Sequence, residues 1–202
     1  MKNLIVDFDN TQFDSLPVLA EYVNRVFGIK SLPEDHRDLP IDQILEKYER
    51  KINLTLNEVY YYFIQSFQTS TTWHDYIKPM PGLTEVLPRL AKKCNIYTCS
   101  SRQTGGITNI RRLSEIYVPG CIKDIHCVWT YVGPGYTGIS KAEFVKSLVG
   151  ENVMFIDDSP KELSTVKDLV PTILFRESDA NSHGFTSAKN WWEVEKILES
   201  AL

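Results

Sequence analysis

The sequence predicts an α/β protein: a doubly wound parallel sheet with a small helical insertion after the first strand. Three observations predict it. Five short apolar runs, at residues 3–6, 94–99, 125–130, 153–156 and 171–175, have the length and continuity of strands buried on both faces. Helical patterns separate these runs, the alternation that builds parallel strands joined by crossover helices. The first two runs are separated by residues 7–93, far more chain than the roughly 2–6 residues of an ordinary strand-to-helix loop.

The first strand, Asn3-Leu4-Ile5-Val6, runs directly into Asp7-Phe8-Asp9-Asn10-Thr11. Residues 15–78 then read as an all-helical insertion, which leaves 1–14 and 79–202 as one core. Leu16, Leu19, Ala20, Val23 and Phe27 share a helix face, and Gly28 ends that helix. Pro33 and Pro40 punctuate the next stretch. Thr55 with Glu58 is a capping box opening a helix to about residue 67, with Val59, Tyr62, Phe63, Ser66 and Phe67 on one face. Pro79-Met80-Pro81-Gly82 is the returning turn. Leu83, Val86, Leu87 and Leu90 mark a core-facing helix that Pro88 should distort. Ser140 with Glu143 caps another helix, ended by Gly150. Ser159 with Glu162 caps a third, with Pro160 at the first helical position, where a missing N–H costs nothing.

Composition narrows the function classes. At 202 residues and 43% apolar, the chain can bury one sizeable core. Net charge is −4, and no Lys/Arg run exceeds two residues, so a polynucleotide is a poor partner. The four cysteines form no C-x-x-C. A zinc site at Cys121, His126 and Cys127 lacks the usual ligand spacing, and buried thiols in strands are the simpler reading. The opening MKNLIVDFD has no signal-peptide apolar region, and no apolar stretch approaches the ~20 residues of a membrane span. The expectation is a soluble, cytoplasmic protein whose cysteines stay reduced.

Ligands of open α/β sheets bind beyond the carboxyl ends of the strands. Four runs end there in polar residues. Alternation points Asp7 and Asp9 the same way, and two such carboxylates repel unless a cation or proton intervenes; an Asx-rich capping turn is the plainer alternative. Ser100-Ser101-Arg102 offers hydroxyls and N–H groups to an oxyanion, or is an ordinary loop. Lys141 in a helix first turn opposes the dipole, which makes sense if it faces an anion; otherwise it is a solvated lysine. Asp157-Asp158 ends an apolar strand, as suits a hard cation such as Mg2+, or merely charges a helix N-terminus.

Taken in order, acid pair, hydroxyl, lysine and acid pair resemble the four motifs of the haloacid dehalogenase-like (HAD) superfamily. The match is hhhDxDxT at residues 4–11, a strand ending in Ser100, Lys141 before a helix, and hhhhDD at residues 153–158. It spans nearly the whole chain. The insertion falls where that superfamily carries its helical C1 cap on a Rossmann-type core.

The resemblance implies a Mg2+-dependent phosphatase. By it, Asp7 is the nucleophile, Asp9 the general acid and base, Ser100 a hydrogen-bond donor to the phosphoryl group, and Lys141 a charge neutraliser. Asp7, Asp157, Asp158 and the backbone carbonyl of Asp9 are its magnesium ligands. Thr98 is the alternative hydroxyl, though Ser100-x-Arg102 parallels the T-x-R of many relatives. Gln12 stands where a leucine is usual. Dehalogenases and P-type ATPases lack an acid at the position of Asp9, so phosphoryl transfer from a small phosphorylated substrate is implied.

Finer features are similar to the 5'(3')-deoxyribonucleotidase group: Pro79–Gly82, Ser100-x-Arg102, Phe155-Ile156-Asp157-Asp158-Ser159-Pro160, and Asn190-Trp191-Trp192-Glu193. That group's T-A-R-P is replaced by Ser100-Ser101-Arg102-Gln103. Aromatic faces suit a nucleobase, and Tyr61 and Trp73 are the candidate contacts, beside Ser101 and Arg102 for substrate; Tyr62, Phe63 and Phe67 fit the insertion's own core. A nucleotide is therefore the expected substrate. The alternatives are another small phosphoester, such as a sugar phosphate, or a non-catalytic binding domain.

Overall fold

The computed structural model describes residues 2–39, 41–49, 55, 58, 67–128, 138–148, 150–176 and 184–200. Strands β1 (Asn3–Val6), β4 (Asn95–Ser100), β5 (Ile122–Cys127), β6 (Asn152–Asp157), β7 (Thr172–Leu174) and β8 (Thr186–Ser187) form one parallel sheet in the order β5-β4-β1-β6-β7-β8. β1 lies between β4 and β6, with Ile5 beside Tyr97 and Phe155. Its four residues are all buried, which is why the run is apolar without alternation. Successive residues face opposite sides: Leu4 and Val6 join one core cluster with Ile110 and Trp191, while Ile5 joins another with Phe155 and Leu163. Both faces are thus covered, as expected of a doubly wound sheet.

Some boundaries differ from the sequence reading. β5 begins at Ile122 because it is the sheet's edge, where Lys123 and Asp124 stay exposed and break the apolar run; residues 129 and 130 lie outside the described residues. β8 is two residues long and carries no apolar signal.

A second, two-stranded ribbon pairs β2 (Phe13–Asp14) with β3 (Lys78–Pro79) antiparallel, so the chain leaves and returns side by side. Between them come α1 (Leu16–Phe27), α2 (Asp35–Asp38), α3 (Ile41–Lys47) and α4 (Thr71–His74). Gly28 ends α1 at φ 66, a left-handed conformation that glycine adopts without penalty. The Thr55–Glu58 box is present: the Thr55 N–H donates to the Glu58 carboxylate at 2.7 Å. Tyr62 and Phe63 lie outside the described residues; Phe67 is buried against Tyr22 at 5.3 Å, in the packing role expected of it.

The remaining helices are α5 (Leu83–Leu90), α6 (Ile107–Tyr117), α7 (Lys141–Ser147), α8 (Pro160–Val166) and α9 (Trp191–Leu198). α5 accommodates Pro88 and still buries Leu83, Val86, Leu87 and Leu90. The turn before it needs Gly82 twice over: φ is 82, and an added Cβ would stand 2.8 Å from the Trp192 ring. α7 stops at Ser147, short of the expected Gly150. No helix among the described residues is long and apolar enough to cross a membrane.

Candidate active site

The carboxyl ends of β1, β4 and β6 converge on one cavity of about 280 Å³. Asp7, Asp9, Ser101, Arg102, Lys141, Asp157 and Asp158 line it, together with Gln68, Ser159 and Glu162. Asp7 follows the last residue of β1, and its N–H donates to the Ile156 carbonyl at 2.8 Å, so strand pairing sets its place. Lys141 opens α7 because Ser140 caps it in a reciprocal box with Glu143. Its ammonium is 2% exposed and donates to Asp7 Oδ1 at 2.8 Å and to Asp157 Oδ2 at 2.7 Å. The unfavourable position against the helix dipole is thereby explained: two carboxylates face it.

The local charges are unbalanced. Oxygens of Asp7, Asp157 and Asp158 lie within 4.8 Å of one another. Burial pushes the Asp7 carboxyl well above its ordinary value; Lys141 opposes this, while Asp157, Asp158 and Asp9 add to it. Asp158 is raised to about 7 by burial and by Asp157. Burial alone would lower Lys141, but Asp157 and Asp7 override it and hold the ammonium charged. Three converging carboxylates, two of them bonded to one ammonium and two of them pushed towards protonation, are a donor set that a hard cation satisfies. The residues present fit Mg2+.

Asp9 is held differently. Arg102 Nε donates to its Oδ2 at 2.8 Å and Nη2 to its Oδ1 at 2.7 Å, a bidentate pair. Burial would raise this carboxyl, yet the guanidinium wins and holds it below its ordinary value. Arg102 is itself 3% exposed, with its guanidinium 4.9 Å from the Phe8 ring and 5.9 Å from the Phe67 ring. Its Nη1 meets Nε2 of His74. Burial, then the guanidinium, push that imidazole down to about 4.

Of the two hydroxyl candidates, Thr98 is taken up by Gln12, whose Nε2 lies 2.9 Å from its Oγ1. Ser100 ends β4, and its Oγ accepts the Arg102 N–H at 3.2 Å. Both are buried and neither is among the residues that line the cavity; the neighbouring Ser101 is. Tyr61 lies outside the described residues. Trp73 corrects the expectation of a substrate contact: it packs edge-on against Tyr22 at 5.4 Å, with Arg25 over its ring, and does not line this cavity. An amphipathic aromatic near a helix simply finds its own core first.

Sequence reasoning missed three residues. Gln68 reaches the cavity from the segment between β2 and β3 and accepts the Gln103 N–H at 3.2 Å; nothing local marks it. His74 carried no motif. Gln12 donates to the backbone carbonyl of Asp7 at 3.1 Å, and its replacement of the usual leucine was the available signal.

No family model matches the chain, and no curated protein matches it. Solved structures do. One described as a predicted phosphatase from Clostridium acetobutylicum has a TM-score of 0.72 at 14% identity, covering 98% of this chain and 98% of that one. One described as a predicted phosphoglycolate phosphatase from Haemophilus somnus has 0.67 at 14%, covering 98% and 97%. A haloacid dehalogenase-like hydrolase from Streptococcus pneumoniae has 0.64 at 12%, covering 97% of each. At such identities the likeness speaks to architecture: the chain has the HAD-like, Rossmann-type α/β fold, built on a six-stranded parallel sheet.

Proposed function

We propose that this chain is a Mg2+-dependent phosphatase that hydrolyses small phosphate monoesters through Asp7. One observation carries the reading: Asp7 sits at a strand end with Lys141 at 2.8 Å, two further carboxylates beside it, and Asp9 in the same cavity. A buried carboxylate beside an ammonium and a cation-ready cluster is what attack on an anionic phosphoryl group requires.

In the first half-reaction an Asp7 oxygen bonds to phosphorus as the bond from phosphorus to the leaving oxygen breaks, and Asp9 gives the leaving oxygen a proton, releasing the alcohol. In the second, Asp9 takes a proton from water, whose oxygen displaces Asp7 and releases phosphate. Lys141 neutralises charge on Asp7 and the phosphoryl oxygens. Ser100 and Ser101 supply hydroxyl and N–H donors. Asp7, Asp157, Asp158 and the Asp9 carbonyl would hold Mg2+, which when bound offsets the repulsion between nucleophile and phosphate. Arg102 favours the carboxylate form of Asp9, which suits the second half; the alkoxides released from small phosphoesters are strongly basic, so the first half draws on the protonated fraction of Asp9. Residues 15–78 act as a cap, through Gln68.

Within this reading a small phosphoester, such as a sugar phosphate or a phosphorylated hydroxy acid, is favoured over a nucleotide. The base-stacking argument loses Trp73, no aromatic residue is among the described residues that line the cavity, and one similar structure is described as a predicted phosphoglycolate phosphatase. The test is phosphate release from sugar phosphates, phosphoglycolate and nucleoside monophosphates, with Mg2+ or with EDTA. The small esters should be hydrolysed fastest, and only with the metal. Nucleotides hydrolysed fastest would restore the nucleotidase reading, and no release from any ester would refute the phosphatase.

A further inference from the structure

His74 stands outside every motif, yet its hydrogen bonds reach the reaction centre. The ring is fully buried. Nδ1 lies 2.6 Å from the Ser70 carbonyl oxygen, which can only accept, so Nδ1 carries the proton. Nε2 faces Nη1 of Arg102, which can only donate, so Nε2 offers its lone pair. The two partners admit one form of the ring: neutral, protonated on Nδ1. Arg102 then has Nη1 fixed by His74 and its Nε–Nη2 edge aimed at both oxygens of Asp9. Phe8 and Phe67 flank the guanidinium, but their faces do not set its rotation within its own plane.

We propose that His74 is a positioning residue for Asp9: through Arg102 it sets where the Asp9 carboxylate stands over the phosphoryl site. Resting on the phosphatase reading above, the inference ties proton transfer to the segment between β2 and β3, since Ser70 and His74 belong to it while Arg102 follows β4. A phenylalanine at 74 would keep the ring contact with Phe67, at 5.6 Å, and lose the acceptor. A glutamine would place a carbonyl oxygen near the position of Nε2.

The test compares His74→Phe and His74→Gln with the wild type, in kinetics and by ¹⁵N NMR of the imidazole and of Arg102 Nε–H. The wild-type ring should show a protonated Nδ1 and a bare Nε2. His74→Phe should lower kcat about tenfold or more, as loss of a supporting hydrogen bond typically does, with KM within about twofold. It should also move the Arg102 Nε–H resonance, and His74→Gln should restore both. His74→Leu replaces the phenylalanine variant if that fails to fold, with the same expectations. Wild-type kcat in the acceptor-less variant, or equal losses in both variants that follow their melting temperatures, would overturn the inference. If the wild type hydrolyses no phosphoester, the phosphatase reading fails by itself, and NMR still decides: an Arg102 Nε–H resonance unmoved by His74→Phe overturns the positioning role.

Discussion

The indole N–H of Trp191 donates to the backbone carbonyl of Thr11 at 2.9 Å, joining the C-terminal helix to the loop that carries Asp7 and Asp9. Both residues are fully buried. Trp191→Phe keeps most of the packing and leaves that carbonyl unpaired. The expected cost is about 1–3 kcal/mol, the usual penalty of an unsatisfied buried acceptor. Urea denaturation checks it, and an unchanged midpoint would show that the bond contributes nothing.

Lys141 is the ammonium shared by Asp7 and Asp157. Lys141→Met removes the charge and leaves two buried carboxylates facing each other. Breaking a buried pair from one side costs about 3–5 kcal/mol. The variant should therefore melt lower than the wild type in EDTA and recover part of the loss on adding Mg2+, and its kcat should fall by about 10² or more. A melting temperature equal to the wild type's in EDTA would contradict the charge balance described.

Asp158 gives a pH dependence. Its carboxyl is raised from 3.8 to about 7 by burial and by Asp157. Between those values the folded chain holds a proton that the unfolded chain has lost, so stability falls as pH rises through the window. This contribution is complete below about pH 4 and gone above about pH 7. In EDTA, the stability of the wild type relative to Asp158→Asn should decline across that range. Mg2+ should flatten the decline by favouring the ionised form. A difference independent of pH would contradict it.

The sheet was legible because its central strands are buried on both faces: residues 3–6 read as a strand and form one. The capping box at Ser140 was legible because it is local, its partner only three positions on. At Ser159 half of the expected box forms: the hydroxyl accepts the Glu162 N–H, but the Ser159 N–H donates to Asp157 at 2.9 Å instead of to Glu162. The cavity's acids and lysine were legible because strand ends place them and chain order ranks them. Arg102 reads in sequence as a substrate contact; its pairing with Asp9 depends on a contact across 93 positions that no local pattern encodes. His74 and Gln68 were illegible for the same reason, since each enters from the far side of the site. Trp73 misled because an aromatic beside a ligand and one in a small core look alike in sequence.

The central claim is that Asp7 carries the phosphoryl group, and trapping that state tests it most directly. In Asp9→Ala the second half-reaction lacks its base, while p-nitrophenyl phosphate needs no acid in the first. Mixing the two with Mg2+, quenching, reducing with borohydride and sequencing the peptides by mass spectrometry reads the covalent state. The account predicts a burst of nitrophenolate equal to the enzyme present, and conversion of Asp7 to homoserine. Turnover without a burst, or reduction at another residue with Asp7 intact, would contradict it.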